Sequence, residues 1–319
     1  MAHRLRSLLL AALLPVALLP AACTGPEDDS ARIDTDADTD ADTDADTDAD
    51  TDADADADTD ADADTDTGDT GVGPAGEFER ELDVDGMTRS FTLVVPEEAT
   101  SAMEDGPVPL LVALHGAGDE GDNFVTATRL TLLAEDNAFV LVGPDGYNRG
   151  WFVTAGEGWP GADGYASSLE NDLLFLERIV DTVASEYRLA LGRVYVVGHS
   201  RGAGMTALLA ILSGQYDHAE GTFVNPFAAL GINAGYDPTG GHFDAAGAEP
   251  KGSAWVIHGT ADGVVPFSYG ETLAERLSVG GFDVLLTEVA GAGHTWLWQA
   301  GYGQDDQDLW DWFQAHGTD

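Results

Sequence analysis

The stretch VYVVGHSRGAGMTALLAIL (194–212) decides how the chain is read. Val194 to Val197 is a short apolar, β-branched run of the kind that forms a strand buried on both faces. Ala203 to Leu212 is apolar all round but for Thr206, the mark of a buried helix. Between them stands Gly198-His199-Ser200-Arg201-Gly202. Gly-x-Ser-x-Gly on its own is a weak motif. Set between a strand and a helix it predicts a sharp, strained turn that lifts the Ser200 hydroxyl above a sheet edge. The helix opening at Arg201 would aim its first amides at the same point, where negative charge can be stabilised. The plainer reading is a tight strand–helix connection with an idle serine.

Working outward, the flanking sequence alternates short apolar runs with amphipathic ones. Phe78 to Val84 and Met87 to Val95 read as strands joined at Asp85-Gly86, a hairpin signal. Further strands are expected over 108–114, 139–142, 228–232, 254–257 and 284–289. Helices are expected over 123–137, 169–187, 268–279 and 307–315. This alternation predicts an α/β architecture: a mostly parallel central sheet with helices on both faces and the opening hairpin antiparallel at one edge.

A serine hydroxyl is a weak nucleophile until a base takes its proton. In this architecture the order along the chain is serine, acid, histidine. Four histidines follow Ser200: His218, His242, His294 and His316. Of these, His294 lies just after a predicted strand in a glycine-rich loop, Gly291-Ala292-Gly293-His294-Thr295-Trp296, and is taken as the base. For the acid, Asp262 directly follows the strand 254–257 and is preferred to Asp237, Asp244 and Asp283. Asp237 sits in a turn before Pro238, and Asp283 opens a strand at the opposite sheet end. Two backbone donors are needed for a developing oxyanion. Arg201 N–H is one candidate. Ala117, in Leu114-His115-Gly116-Ala117-Gly118, is the other, unless those glycines merely turn the chain.

The remainder of the chain is different in kind. Residues 1–22 read as a secretory signal: His3, Arg4 and Arg6, then an apolar run from Leu8 to Leu19, then Ala21-Ala22. Cys23, the chain's single cysteine, follows at once, so no intrachain disulfide can form. Its position resembles a lipobox, with Pro20 where that motif usually has leucine. The expectation is a lipidated Cys23 anchoring the protein at a bacterial cell envelope; the alternative is an ordinary signal peptide with an incidental cysteine. Residues 23–76 form an Asp/Thr/Ala-rich stalk. Glu27 to Thr70 holds 21 acidic residues against one arginine. Such a segment buries no core and repels itself, so an extended, disordered stalk is expected. The ~45 residues from Glu27 to Thr70 would reach at most ~150 Å. The Asp repeat lacks the glycine turn and bidentate ligand of a calcium loop, so no metal site is assigned. The folded domain is expected over 77–319.

The formal net charge is −45, and it excludes a nucleic-acid partner and adhesion to anionic membranes. Contact with a membrane is expected only through the lipid.

Taken together, LVALHGAGD (111–119), GPDGY (143–147), NDLLFLERIVDTVASEYRLALGRVYVVGHSRGAGM (171–205), HGTADGVVP (258–266) and GAGHTW (291–296) resemble the poly(3-hydroxybutyrate) depolymerase-like esterases, which group with feruloyl and acetylxylan esterases. The resemblance spans about residues 80–316. It implies an α/β-hydrolase fold and hydrolysis of carboxylic esters with no cofactor. Ser200 would be nucleophile, Asp262 acid and His294 base. Arg201 stands where many relatives have Asn or Ala, and Leu297 where Pro often follows. Beside the nucleophile, Arg201 would either attract an acidic acyl group or pair with a neighbouring carboxylate. Trp151, Trp159 and Trp296 fall in loops near the predicted site. Trp151 and Trp296 are the choices for stacking on a substrate, against ordinary packing. A serine peptidase of the same fold, or a non-catalytic surface binding protein, are the competing functions.

Overall fold

The computed structural model describes residues 72–153, 168–218 and 220–317. The expected signal segment, Cys23, nearly all of the stalk and Trp159 lie outside the described residues.

Local sequence accounts for each element. β1 (Gly76–Val84) and β2 (Met87–Val95) form an antiparallel hairpin in which Val84 pairs with Met87 across Asp85-Gly86. Both turn residues have positive φ, 54° and 80°, as this tight turn requires. α1 (Glu97–Asp105) follows Pro96, an element the sequence reading did not contain. β3 (Val108–Leu114) is buried at every position. One helix was expected over 123–137; the structure has two, α2 (Gly121–Ala127) and α3 (Leu130–Asn137). Arg129 between them adopts φ 62°, which no continuous helix accommodates. β4 (Val140–Pro144) is followed by α4 (Leu169–Glu186), whose first turn is capped by Ser168 accepting from Asn171 N–H at 3.1 Å. Next come β5 (Leu189–His199), α5 (Arg201–Leu212), a two-residue pair β6 (Asp217–His218) and β7 (Gly221–Thr222), β8 (Ala229–Asn233), β9 (Ser253–Gly259), α6 (Phe267–Val279), β10 (Asp283–Val289) and α7 (Asp306–His316).

Among the described residues eight strands make one sheet in the order β1-β2-β4-β3-β5-β8-β9-β10. From β4 to β10 all neighbours are parallel; the opening hairpin joins antiparallel at one edge. Strand alternation sorts the core into two layers. Leu110, Val112 and Leu114 of β3 point to one face with Val194 and Val196 of β5, against α1, α4, α5 and α6. Leu111 and Ala113 point to the other with Tyr195 and Val197, against α2, α3 and α7. α5 is buried from Gly202 to Leu212 because it packs flat on the sheet directly behind its own turn.

Two further features frame the site. The domain's packing begins before residue 77, since Gly73 N–H donates to Glu186 and the Tyr187 hydroxyl donates to the Pro74 carbonyl. A buried ion pair ties the hairpin to the loops that follow β4. Arg89 on β2 lies 2.8 Å from Asp172 at the start of α4, and both are almost fully buried. Arg89 also donates to Asn171 Oδ1 and to the Asp145 carbonyl, and lies over the Phe175 ring. Asp172 accepts from Phe152 N–H. Removing one partner of such a pair strands the other charge in the core. Asp172→Ala is therefore expected to cost about 3–5 kcal/mol of unfolding free energy, read as a lower urea midpoint with an unchanged slope.

Candidate active site

Every loop that carries a candidate residue leaves the carboxyl end of a parallel strand. Ser200 follows β5, Ala117 follows β3, Asp262 follows β9 and His294 follows β10. In parallel sheets these ends share one edge, so residues far apart in sequence meet there.

Ser200 sits at φ 55°, ψ −114°, a strained backbone for a residue with a side chain. The two motif glycines make this turn possible by close approach. A Cβ on Gly198 would stand 2.4 Å from the Gly202 backbone, and one on Gly202 would stand 2.1 Å from the Leu114 carbonyl oxygen. With any larger residue at either position, α5 could not lie this close to β3 and β5. Ser200 N–H donates to the Asn233 carbonyl at the end of β8, which pins the turn to the sheet.

The structure brings Ser200, His294 and Asp262 together. His294 Nε2 is 2.8 Å from Ser200 Oγ, and His294 Nδ1 is 2.7 Å from Asp262 Oδ2. The other carboxylate oxygen, Oδ1, accepts from Val264 N–H at 2.8 Å and Val265 N–H at 2.9 Å. Burial pushes this carboxyl upward, but the hydrogen bonds from His294, Val264 and Val265 outweigh it and hold Asp262 below the ordinary range. Asp262 is thus ionised at neutral pH, and its Oδ2 accepts the Nδ1 proton of His294. That tautomer turns the Nε2 lone pair to the Ser200 hydroxyl.

Three more histidines, all at strand ends, crowd the same edge. His258 Nε2 donates to the Val265 carbonyl at 2.8 Å and lies 3.4 Å from Asp262 Oδ2, bracing the acid's loop. Burial lowers its pKa, so it stays neutral. His115 is fully buried. Its Nε2 accepts from Gly146 N–H at 2.8 Å, which leaves the proton on Nδ1, 2.7 Å from the Gly116 carbonyl. That carbonyl also accepts from Asp119 N–H, and a trans peptide then turns the Ala117 N–H the opposite way. Ala117 itself is exposed, and a Cβ on neighbouring Gly116 would stand 3.6 Å from the Ser200 Cβ. His199 lies beside His294 with ring centroids 4.9 Å apart. Burial, with the nearby His294, lowers its pKa to about 4.

The aromatic expectations need correction. Trp151 is fully buried: its indole N–H donates to the His115 carbonyl and its ring packs on His115. Trp296 is 7% exposed, edge-on to Phe124 and against Trp298. Both rings are packing elements of the site's walls, with no face free for a substrate to stack on. The cause is tertiary: Trp151 is held inward by its indole hydrogen bond to the His115 carbonyl, and Trp296 by packing on Phe124 of α2. Arg201 is half-buried and its Nε donates to the Trp151 carbonyl at 2.7 Å, which ties α5 to the same wall.

Comparison with known proteins agrees with this architecture. The "Probable feruloyl esterase C" of Aspergillus niger is 27% identical over 195 residues, covering 59% of this chain and 60% of that one. The "Poly(3-hydroxyalkanoate) depolymerase C" of Paucimonas lemoignei is 27% identical over 206 residues, covering 55% of this chain and 46% of that one. The chain thus spans about half to three fifths of the length of these curated relatives. Among solved structures, a ferulic acid esterase from Anaeromyces mucronatus superposes with a TM-score of 0.53 at 20% identity, over 70% of this chain and 85% of that one. A thermophilic esterase from Thermogutta terrifontis superposes with a TM-score of 0.53 at 16% identity, over 75% and 91%. These likenesses establish the α/β-hydrolase fold. Residues 89–296, which contain Ser200, Asp262 and His294, match the family described as "Esterase PHB depolymerase". That match covers well over half of the chain, and the protein belongs to this esterase family.

Proposed function

We propose that the protein hydrolyses carboxylic esters through an acyl-enzyme, with Ser200 as nucleophile, His294 as base and Asp262 as the acid that orients it. The observation that carries this reading is the unbroken chain of hydrogen bonds from Ser200 Oγ through both His294 nitrogens to Asp262. Ser200 Oγ attacks the ester carbonyl while His294 Nε2 takes its proton. The imidazolium then protonates the leaving alcohol, and water attacks the acyl-enzyme by the same route in reverse. Asp262 stays ionised throughout and stabilises the imidazolium. The amides of Ala117 and Arg201 serve as the oxyanion donors; the orientation that His115 imposes on the Gly116–Ala117 peptide supports the first. No step needs a cofactor.

The proposed substrate is a polyhydroxyalkanoate-type polyester or a feruloyl or acetyl ester of a plant polysaccharide; the names of the curated relatives support the polyester and the feruloyl ester. We place the enzyme outside the cell, exported by residues 1–22 and held to the envelope by lipidated Cys23, with the acidic stalk as spacer and no nucleic-acid partner. Among the described residues no helix is long and apolar enough to cross a membrane.

The test is direct. The purified protein is incubated with p-nitrophenyl esters of short acids, with methyl ferulate and with a short-chain polyester film. In parallel it is treated with a fluorophosphonate, and the adduct is located by peptide mass spectrometry. Ester release together with a single adduct on the peptide bearing Ser200 is the expected result. No release from any ester, or an adduct elsewhere, rejects the reading.

A further inference from the structure

Asn233 ends β8, is fully buried, and touches both halves of the site. Its backbone carbonyl accepts the Ser200 N–H at 2.9 Å. Its side chain spans to the loop that carries His294. Nδ2 donates to the Thr295 carbonyl at 2.9 Å, and Oδ1 accepts from Leu297 N–H at 3.0 Å. These backbone partners fix which end of the amide is oxygen, because a carbonyl needs a donor and an N–H needs an acceptor. The second Nδ2 proton then points at His199 Nδ1, 2.6 Å away. A nitrogen that receives this bond carries no proton of its own, so the ring holds its proton on Nε2.

From this geometry we propose that Asn233 is a positioning residue: it clamps the His294 loop to the Ser200 turn and locks His199 as the neutral Nε2–H tautomer. The clamp sets the Ser200–His294 distance, since residues 295 and 297 flank the base and residues 199 and 200 carry the nucleophile. The tautomer lock matters because the His199 ring lies against His294. A second positive charge there would oppose the imidazolium that His294 becomes during turnover. The groups facing His199 are Asp119 from the loop after β3, Asp262 from the loop after β9, and His294. The two carboxylates and the Asn233 backbone carbonyl favour its protonation; burial and His294 oppose it, and so does the Asn233 Nδ2 donor at Nδ1. The proposal rests on the reading of Ser200 and His294 as nucleophile and base.

The experiment compares the native protein with Asn233→Ala, isosteric Asn233→Asp, and Asn225→Ala. Asn225 is a buried asparagine that hydrogen-bonds Ser213 and Phe227, away from the triad. In Asn233→Ala, kcat on p-nitrophenyl butyrate is expected to fall about 100-fold with KM within about twofold, the signature of lost alignment. Fluorophosphonate labelling slows by a similar factor but still reaches one adduct per chain. Imidazole ¹⁵N shifts show a single Nε2–H tautomer for His199 in the native protein and a mixture in Asn233→Ala. Asn233→Asp, which keeps Oδ1 for Leu297 but replaces the donor by oxygen, moves the His199 proton to Nδ1 even if the alanine variant folds poorly. Asn225→Ala leaves kcat, KM and the His199 signal unchanged. An unchanged kcat, a labelling endpoint that falls as far as kcat, or a His199 tautomer indifferent to residue 233 overturns the proposal. Full hydrolysis by Ser200→Ala defeats the nucleophile assignment instead, and leaves the tautomer measurement standing as a separate result.

Discussion

Ser200→Ala is expected to lower kcat on p-nitrophenyl butyrate by about 10⁶-fold, equivalent to about 8 kcal/mol of transition-state stabilisation. On the proposed mechanism the hydroxyl oxygen becomes bonded to the acyl carbon, so its removal ends covalent catalysis outright. His294→Ala is expected to lose about as much, because an unactivated serine hydroxyl barely attacks an ester. The double variant should lose little more than either single one, since both act in one proton-coupled step and their effects do not add. A residual rate of about 10³-fold over water should survive in all three, supplied by the oxyanion amides and by substrate binding. The fold should tolerate Ser200→Ala: the turn is held by Ser200 N–H on Asn233 and by the closeness of Gly198 and Gly202, none of which involves the hydroxyl. Retention of even a tenth of native kcat by well-folded Ser200→Ala would remove the nucleophile from the account.

The sheet and the three central residues were legible in the sequence because each has a local cause. β3 and the Val194–Val197 part of β5 read as unbroken apolar runs, the composition of a strand buried on both faces. The Gly-x-Ser-x-Gly turn needs its two glycines for backbone contact, so the pattern itself encodes the geometry. Asp262 and His294 could be chosen because strand ends gather at one edge. What escaped has non-local causes. The break at Arg129 depends on how α2 and α3 pack separately, and the run 123–137 keeps its helical spacing across it. Helix α1 is short and polar, with Ala99 and Met103 its buried residues. Asn233 looks like any strand-end polar residue until Thr295, Leu297 and His199 are placed around it. His115, His199 and His258 were visible at strand ends, yet their tautomers follow from partners that are 31, 34 and 7 residues away in sequence. Trp151 and Trp296 were assigned to the substrate because aromatic residues in loops do both jobs, and only their burial separates packing from binding.

Asp262→Asn is expected to lower kcat by about 10⁴-fold, about 5.4 kcal/mol, while leaving the fold and KM nearly unchanged. The reasoning turns on which way the new amide must face. Oδ1 of Asp262 accepts two backbone N–H groups, from Val264 and Val265. An amide nitrogen cannot accept them, so the asparagine keeps its oxygen there and puts its NH₂ where Oδ2 now meets His294 Nδ1. A donor at that point requires a bare Nδ1, and the imidazole then carries its proton on Nε2, facing Ser200 Oγ. A base with its lone pair turned away cannot take the serine's proton, although every atom stands where it stood. Asp262→Ala should be equally slow but also less stable, since it leaves two loop amides without an acceptor at about 1–3 kcal/mol. The acid dependence of stability separates the carboxylate from its shape. Because the folded carboxyl titrates below its ordinary value, the stability it adds is complete above that value and is lost as pH falls through the depressed one. Asp262→Asn removes that titration, so its unfolding free energy should fall less than the native protein's on the acid side. A native-like kcat in Asp262→Asn, with the amide seen to donate to His294, would show that the tautomer is not what Asp262 contributes.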